Sequence, residues 1–556
     1  GGVCFIYYKN YQSNYNARKL YMHVYEKYSK WNEMRVLRHD LHLRELDNGE
    51  ISVNSRMKVI NTSSMETPLI LYLNPSLNVL SIKVNGEEIF FSREHQTLLL
   101  NKELKNMETC EISMYYEGGI ENGICFLDVD PVKYNSPETN SHGIYYYGYS
   151  PAFCEKEYKL FTPECIWYPV CVPPYHVLGC RNVNFTRFSL EVEHDSLRTA
   201  ISQGEFIEEK NGTTKFSFTH DMPGISLCVG NYKKRMIMVD STRVELYCLP
   251  SHDYLLEGYD FPNEPLAQEL LRVKQSLETT ESVQTSEYKV KTFEGEKVID
   301  PVQQYPYRWL TLLEVPCNYH CFSNLMQLTG EREQGGIVFL PEKGFSLDYQ
   351  YYVPRNEEEK LSRLEWIYSD IDRILGKGSC DIKPIFRSKT SFIFSDEYPI
   401  MNNILAEMAC EVFGMQSEPV EDYPVIEYLK DKSLKDALHD NSLSPAEIKN
   451  IIRKKSVELH KYIMLYIGEE QFQQFYHDFL ADNLFKETTL NECFHKFYES
   501  FGIKLDSLVE RWYNANQLPL FEIKDALAIM IGETDISFIP DIMYSFKVYN
   551  RGDVPG

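Results

Sequence analysis

The chain has 556 residues, of which 43% are hydrophobic and 25% are charged, and tyrosine occurs 40 times. This composition excludes a disordered chain, and the length predicts two to four domains, each with its own core. The formal net charge of -24 argues against a nucleic-acid-binding protein, because phosphate binding needs clustered Lys and Arg side chains.

The N-terminal residues predict a helix. Residues 15–30, YNARKLYMHVYEKYSK, have helical spacing and few helix breakers. The preceding GGVCFIYYKN is apolar but short, and no apolar run in the sequence reaches the roughly 18 residues of a membrane span. It also lacks the plan of a signal peptide. We expect residues 1–34 to be a lead-in helix and linker that follows a membrane span; a plain hydrophobic terminus is the alternative.

Residues 35–250 are predicted to form an antiparallel β-sandwich or saddle domain. Short alternating segments such as ISVNSRMKVI, SIKVNG, FTRFSLEVE and RVELYCL are separated there by Asn, Gly and Asp. Helical periods dominate residues 251–520, as in SRLEWIYSDIDRIL, SPAEIKNIIRKKSVELHKYIMLYIG and SLVERWYNANQ. Residues 521–556 read as a linker and the first strand of a truncated C-terminal β domain. The predicted fold class is therefore multidomain α+β.

The 14 cysteines show no C-x-x-C pair and no repeated metal-ligand spacing. One stretch, CNYHCF, brings Cys317, His320 and Cys321 close together in sequence. It lacks a second pair of ligands, so buried structural thiols are favoured over a zinc site.

One helical segment, NILAEMACEVFGMQ, matches the frame of a zinc-peptidase helix without its histidines. Such a helix reads H-E-x-x-H, because a spacing of four residues places both imidazoles on one face and the Glu acts as general base. Here Ala406 and Cys410 occupy the two His positions, and Glu407 is retained. Ala406 has no donor atom, whereas Cys410 could supply a thiolate. Glu407 is either a remnant of the site or an ordinary residue on the polar edge of an amphipathic helix.

A second stretch, GEREQGGIVF, strengthens this match. Together with the helix, it makes the chain resemble the aminopeptidase N family of zinc peptidases, the gluzincins. The family strand G-x-M-E-N-x-G is matched without gaps at Gly330, Glu333 and Gly336, while Arg332 and Gln334 replace its Met and Asn.

Two further stretches extend the resemblance over nearly the whole chain. In VIEYL, Glu427 falls near the third zinc ligand of the family, two residues short of the usual spacing, so a plain surface charge is the alternative. The stretch from Gly468 to Asn514 is similar to the family segment between the catalytic Tyr and the end of the peptidase domain. The resemblance implies a thermolysin-like α/β peptidase domain at residues 251–520.

Within the family, the chain looks closest to the peptidase-like ectodomains fused to bacterial ABC-transporter permeases. The segments FIYYKN, YEKYSKW, FTPECIWYPV and GISLCVGNY carry this likeness. It implies a location at the cell membrane on its extracytoplasmic face. The implied partners are a membrane-spanning part of the same protein and an ABC ATPase subunit.

The resemblance also assigns roles to residues. Three residues are assigned to substrate binding: Glu333, Gln334 and Gly336. In the family this Glu binds the N-terminal amine of the substrate, and the strand edge pairs with peptide backbone. Arg453 stands where the family has its catalytic Tyr. The degenerate metal positions are Ala406, Cys410 and Glu427. Because two ligands do not make a stable tetrahedral zinc site, we expect no functional catalytic residue, with Glu407 a remnant, and no metal cofactor.

The leading hypothesis is a non-catalytic aminopeptidase-like domain that binds peptide-like ligands or stabilises a transporter. A groove is predicted between the strand at Glu333 and the helix at Glu407. Arg453 is an alternative partner for the two carboxylates, and would then fill the groove. The other hypotheses are an active metallo-aminopeptidase that holds zinc with altered ligands, and a structural spacer without a groove.

Overall fold

A computed structural model describes residues 2–28, 34–129, 150–175, 183–239, 242–250, 307–316, 318–319, 333–341, 391–408, 422–440, 442–516, 521–532 and 541–550. Two compact units are formed, Gly1–Phe392 with Asn483–Glu487, and Ile393–Asp482 with Thr488–Gly556. The predicted fold class is confirmed as a multidomain mixed α/β chain with a β-rich N-terminal part. The domain boundaries stay predictions. The predicted helix SRLEWIYSDIDRIL and the side chains of Cys317, His320 and Cys321 lie outside the described residues.

The first unit opens with a long helix, α1 (Gly2–Tyr28), which begins well before the predicted residue 15. Its C-terminal half is packed, because Val24 and Tyr25 are buried and the ring of Tyr25 lies 4.8 Å from that of Tyr175. Gln96 Nε2 also donates to the Tyr21 carbonyl at 2.6 Å. In the described part of the chain, no helix is long and apolar enough to cross a membrane.

Twenty strands lie wholly within the described residues of this unit, and all of the sequence-predicted strands quoted above from residues 35–250 fall among them. In chain order they are β1 (Met34–Glu45), β2 (Ile51–Asn61), β3 (Thr67–Tyr72), β4 (Leu77–Val84), β5 (Glu87–Glu88), β6 (Phe91–Glu94), β7 (Thr97–Leu104), β8 (Thr109–Gly118), β9 (Phe153–Cys154), β10 (Lys159–Phe161), β11 (Arg187–Glu193), β12 (Thr199–Ser202), β13 (Glu205–Lys210), β14 (Thr213–Ser217), β15 (Leu227–Gly230), β16 (Lys233–Val239), β17 (Thr242–Cys248), β18 (Trp309–Val315), β19 (Glu333–Gln334) and β20 (Ile337–Pro341).

These strands form four sheets. Their strand orders are β13-β14-β11-β1-β2-β8-β4-β5, β3-β7-β6, β12-β15-β10-β9 and β16-β17-β18-β20-β19. The largest sheet differs from the prediction of a purely antiparallel domain, because β1 and β11 pair in parallel. These two strands are far apart in the sequence, and parallel neighbours require such a long crossover. The sheet that ends at β19 is mixed, since β17, β18 and β20 run parallel.

Local sequence explains two features of the largest sheet. In β2, side chains alternate between buried and exposed over most of its length, which is the pattern of a strand with one face on a core. Between β4 and β5, Asn85 and Gly86 have φ of 51° and 87°. Two consecutive left-handed residues form the tight hairpin turn that Asn-Gly favours.

Aromatic side chains fill the core of the first unit and bond to its backbone. Trp167 is fully buried, and its Nε1 donates to the Ile225 carbonyl at 3.2 Å. Tyr116 Oη donates to the Trp167 carbonyl at 3.2 Å, while Tyr168 Oη accepts from Ile225 N at 3.0 Å. These polar groups therefore remain bonded although water is excluded from them.

Eight cysteines whose surroundings are described are free thiols, and they are buried except Cys154, which is half-buried: Cys110, Cys125, Cys154, Cys165, Cys171, Cys228, Cys248 and Cys493. Burial raises the pKa of the Cys228 thiol to about 12. A thiol of this kind is un-ionised at neutral pH and acts as a small apolar side chain.

The remaining elements are mainly helices. In chain order they are β21 (Ser391–Phe394), α2 (Met401–Met408), α3 (Asp422–Leu429), α4 (Leu434–His439), α5 (Pro445–Met464), α6 (Glu469–Asp482), β22 (Lys486–Thr489), α7 (Leu490–Phe501), α8 (Leu505–Asn514), β23 (Phe521–Gly532) and β24 (Asp541–Asn550). Helix α5 begins where S-P-A-E predicts, because Ser444 and Glu447 form a capping box and Pro445 occupies the first turn. Helix α7 ends at Gly502, whose φ of 69° caps it.

Lowering the pH is expected to destabilise the first unit through His39. This side chain is buried, it lies 2.7 Å from Ser55 Oγ through Nε2, and it stacks on Phe188. Burial lowers its pKa to about 3, and neighbouring Asp40 opposes this shift only in part. Below about pH 6.5 the unfolded chain binds a proton that the folded chain excludes. The contribution of His39 is therefore complete above that pH and falls by up to about 1.4 kcal/mol per unit toward pH 3.

Urea unfolding between about pH 5 and 6.5 measures this slope, since carboxylates titrate mainly below that range. We expect His39→Gln to flatten the slope and His23→Gln, a change on the exposed side of α1, to leave it as in the parent. A parent slope retained by His39→Gln would contradict the account.

Candidate functional site

The predicted substrate-binding residues lie on a tight hairpin at the end of the mixed sheet. Strands β19 and β20 pair antiparallel, with Glu333 opposite Val338 and Gln334 opposite Ile337. The turn between them is Gly335-Gly336, and the φ of Gly336 is 80°, a left-handed conformation that favours glycine. A Cβ on Gly336 would lie 3.0 Å from Trp309 Nε1, and one on Gly335 would lie 2.7 Å from Tyr307 Oη. Both glycines are therefore needed for the close packing of this turn.

The side chain of Gln334 is fixed inside the protein. It is 4% exposed, and its Oε1 accepts a 2.7 Å hydrogen bond from Ser226 Oγ. Ser226 is held in turn, because its N–H donates to Gln203 Oε1 at 2.6 Å and its carbonyl accepts from Ser202 Oγ at 2.8 Å. Gln334 thus anchors the hairpin through its side-chain oxygen, and its predicted role in substrate binding stays a prediction.

No sequence pattern predicts the residues that support this hairpin. Ser226 lies in GISLCVGNY, a stretch quoted only for its family likeness, and Gln203 comes from a separate loop after β12. Tyr307 and Trp309 precede the hairpin along the chain and wall its turn. These contacts join segments far apart in sequence, so that local spacing carries no signal for them.

The predicted zinc-type helix is present in the second unit as α2. Its apolar residues at helical spacing are buried, as the sequence predicts: Met401, Ile404, Leu405 and Met408. Asn402 Oδ1 accepts from Ile393 N at 2.9 Å and fixes the start of the helix. Ala406 and Glu407 lie within α2. Cys410 and the predicted end of the helix lie outside the described residues.

The ligand position predicted at Glu427 carries an ion pair. Glu427 lies on α3, whose Val425 and Leu429 are buried, while Glu427 itself is exposed. Its Oε2 is bound by Lys430 Nζ one turn further along the helix, and both side chains are 54% exposed. A carboxylate in an exposed Lys pair is a common surface feature of helices.

The residues present do not fit a catalytic zinc ion. Such a site needs three protein ligands, yet Ala406 supplies no donor atom and the carboxylate of Glu427 is paired with Lys430. Across the described ranges, no group of three His, Cys, Asp or Glu side chains is placed to hold a metal ion. We therefore derive no reaction step through zinc, and the expectation of no metal cofactor stays a prediction.

Arg453 lies on α5, half-buried, directly after the buried Ile451 and Ile452. It thus occupies a helix, as the family's Tyr would, and its predicted role stays a prediction. The predicted groove with Glu333 and Glu407 on opposite sides also stays a prediction, because the two residues belong to different units. Within the first unit, the structure brings Glu333, Gln334 and Gly336 together on one hairpin.

Helix α5 also carries a polar cluster that the sequence analysis did not single out. Lys455 is 4% exposed, and its Nζ pairs with Glu458 at 2.7 Å. Tyr462 Oη donates to Glu458 Oε1 at 2.6 Å, and burial together with this bond raises the pKa of Tyr462. Trp512 Nε1 donates to the Lys455 carbonyl at 2.7 Å. The sequence carried one indication of this cluster: a helical spacing that places Lys455, Glu458 and Tyr462 on one face of α5. The bond from Trp512 joins the cluster to α8.

Comparison with known proteins gives structural neighbours at low sequence identity. No family model matches the chain, and no curated protein matches it. The chain is similar to the crystal structure of an M1 zinc metallopeptidase from Deinococcus radiodurans, with 15% identity, a TM-score of 0.45, and coverage of 88% of this chain and 96% of that one. It is also similar to Legionella pneumophila aminopeptidase A in complex with aspartic acid, with 13% identity, a TM-score of 0.47, and coverage of 94% of this chain and 57% of that one.

Proposed function

We propose that this chain is a non-catalytic, aminopeptidase-like module that binds peptides through the strand edge at Glu333–Gly336. The observation that carries the proposal is the identity of Ala406 in α2, since a methyl group stands where the resemblance places the first zinc-binding imidazole. The pairing of Glu427 with Lys430 on an exposed helix surface supports it. Loss of ligands removes hydrolysis, but it leaves strand-edge recognition intact, because that recognition depends on backbone groups.

The hairpin supports the binding half of the proposal. Strand β19 is the last strand in the described part of its sheet, and we propose that an extended peptide adds to this edge as a further strand. The Ser226–Gln334 bond and the close-packed glycine turn hold this edge in place before a ligand arrives. Such preorganisation reduces the ordering entropy that binding has to overcome.

The setting of the module is part of the same proposal. We place it on the extracytoplasmic face of the cell membrane, as a domain of an ABC-transporter permease that works with an ABC ATPase subunit. The supporting observations are the sequence likeness in FIYYKN, YEKYSKW, FTPECIWYPV and GISLCVGNY, together with the long α1 that docks on the β-rich part. Membrane spans encoded next to this chain, with an ATPase gene beside them, would support this assignment.

Isothermal titration with short peptides tests the binding role. We expect the parent chain to bind a peptide with a free N-terminal amine and to bind its N-acetylated form far more weakly. Glu333→Gln removes the negative charge that would hold the amine, so its affinity should fall about tenfold to hundredfold, as for the loss of a charged hydrogen bond.

Glu427→Gln is the matched control, because it removes a carboxylate that is exposed and paired with Lys430. We expect this variant to bind like the parent. Absence of binding in the parent, or affinity unchanged in Glu333→Gln, would remove the peptide-recognition role and leave the structural spacer as the better hypothesis.

A further inference from the structure

A short segment between α6 and α7, Asn483–Glu487, belongs to the first unit, and we call it the strap. Phe485 of the strap packs against the main hydrophobic core of that unit. Glu487 Oε1 accepts two bonds from the Arg35 guanidinium, each 2.9 Å long, and the two side chains are mostly buried. The strap is therefore fixed to the β-rich part at two points.

The ring of Phe485 contacts two aromatic side chains of the first unit. It stacks on His220, with the ring centres 4.0 Å apart and the ring planes 10° from parallel. It also lies 5.7 Å from the centre of the Tyr307 ring. Burial is the main cause that lowers the pKa of His220, so that its ring is uncharged at neutral pH. Because aromatic pairs favour definite distances and angles, Phe485 constrains where both partners lie.

The backbone of Phe485 is strained. Its φ is 58°, a left-handed conformation that bulky L-residues rarely adopt. Strain of this kind persists only where the surrounding contacts fix the residue, and it is concentrated at functional sites. The contacts of the Phe485 ring and of Glu487 thus hold the strap in a conformation that its backbone alone would not favour.

Both partners of Phe485 lead to the turn of the candidate site. A Cβ on Gly335 would lie 2.7 Å from Tyr307 Oη. The same Cβ would lie 3.1 Å from the Cε of Met222, which follows His220 by two residues. Gly335 is therefore walled by Tyr307 and by the segment that carries His220.

Tyr307 also reaches the second glycine of the turn. Its ring lies 5.6 Å from that of Trp309, whose Nε1 would be 3.0 Å from a Cβ on Gly336. Tyr307 is 2% exposed and Trp309 is 3% exposed. The Gly336 carbonyl accepts a 2.9 Å hydrogen bond from Thr311 N. A continuous series of close contacts thus joins the strap to the hairpin of β19 and β20.

We propose that Phe485 is a positioning residue for the peptide-binding edge. Its ring holds Tyr307 and residues 220–222 against the Gly335-Gly336 turn, and thereby sets the position of β19. Close-packed side chains transmit a displacement instead of absorbing it, so a shift of Tyr307 moves the turn. The inference rests on the proposed function for the role of this edge, whereas the positioning itself is measured without a peptide.

Hydrogen exchange of amides 333–341 in the full chain tests the positioning. Phe485→Leu keeps an apolar side chain of similar size and removes both ring contacts. Exchange should become about tenfold to hundredfold faster, as for the loss of two aromatic contacts. Phe485→Tyr keeps the ring and should exchange like the parent. Acceleration of the same size in the amides of β2 would show a general loss of stability and would overturn the proposal.

Phe501→Leu is the matched control. Phe501 ends α7 in the second unit, is also half-buried, and contacts the rings of Phe497 at 4.8 Å and Phe475 at 5.8 Å. Its substitution removes two ring contacts as well, but it should leave the exchange of amides 333–341 as in the parent. Unchanged exchange in Phe485→Leu, or equal acceleration in Phe501→Leu, would overturn the proposal.

Fluorine NMR of the chain labelled with fluorotryptophan gives a second readout. The chain has 5 tryptophans, and Trp309→Phe assigns the resonance of Trp309. Phe485→Leu should shift this resonance and leave that of Trp167, in the core of the first unit, in place. Phe485→Tyr should return the Trp309 resonance to its parent position. A Trp309 resonance unmoved by Phe485→Leu would contradict the contact series.

Isothermal titration measures the consequence for binding. Phe485→Leu should bind a peptide with a free N-terminal amine about tenfold more weakly than the parent, because a looser edge has to be ordered on binding. Parent affinity in this variant, with accelerated exchange of its hairpin, would overturn the link between position and binding. A parent that binds no peptide removes the proposed function, and exchange and NMR then decide the positioning by themselves.

Discussion

Replacing Arg18 by Met is expected to lower the free energy of unfolding by about 3–5 kcal/mol. The Arg18 side chain comes from α1, is 1% exposed, and reaches a loop of the β-rich part. Its two terminal nitrogens donate to four backbone carbonyls at 2.6–3.2 Å, those of Gly123, Cys125, Phe126 and Val129. Methionine fills similar space but donates no hydrogen bond, so buried carbonyl groups lose their partners.

Urea unfolding and hydrogen exchange of residues 12–28 measure this loss. Arg18→Met should remove exchange protection from α1, because that helix depends on this contact for its docking. Arg18→Lys should fall between the parent and Arg18→Met, since one ammonium group cannot span four carbonyls as a planar guanidinium does.

Lys19→Met is the matched control on the next residue of α1, where the side chain is exposed. Its expected effect is within about 0.5 kcal/mol of the parent. A loss of less than about 1 kcal/mol in Arg18→Met would show that the apolar contacts of Val24 and Tyr25 dock the helix without this side chain.

Placing histidine at residues 406 and 410 is expected to strengthen metal binding without producing efficient peptide hydrolysis. The sequence predicts that the helix continues to residue 410, so the two imidazoles of the double variant Ala406→His with Cys410→His would share one helix face and could bind one ion. The resemblance places Arg453 at the position of the family's Tyr, and loss of such a donor would lower the rate about a hundredfold to a thousandfold. The carboxylate of Glu427 remains paired with Lys430, so that the third ligand is weak as well.

Release of amino acid from aminoacyl-amide substrates measures the activity. We expect none from the parent with or without added zinc or cobalt, and little from the double variant. Adding Arg453→Tyr to the double variant should raise the rate by the same factor of about a hundred to a thousand. Brisk turnover by the double variant alone would show that Arg453 does not stand in place of the catalytic Tyr.

Local patterns predicted much of the fold, because the forces that set single elements are local. The S-P-A-E start of α5, the alternation of β2 and the buried stripe of α2 all agree with the structure. The parallel pairing of β1 with β11 was not predictable in this way. It depends on which distant strands meet, and that is decided by packing rather than by spacing.

The candidate site also combines features that its local sequence predicts with features that depend on distant contacts. The Gly335-Gly336 turn follows from its residues, because glycine is the residue that tolerates a φ of 80° so close to Trp309. Burial of Gln334 under Ser226 does not follow from them, since the two residues are more than a hundred positions apart. The resemblance assigns Gln334 to substrate binding, and that role stays a prediction.

The zinc content of the purified parent chain tests the central claim most directly. Elemental analysis after mild dialysis should give well under one zinc ion per chain, because Ala406 supplies no donor and two remaining ligands hold zinc weakly. One tightly held zinc per chain, lost on substitution of Cys410 or Glu427 by Ala, would contradict the account. It would favour the alternative hypothesis, a metallo-aminopeptidase that uses an altered set of ligands.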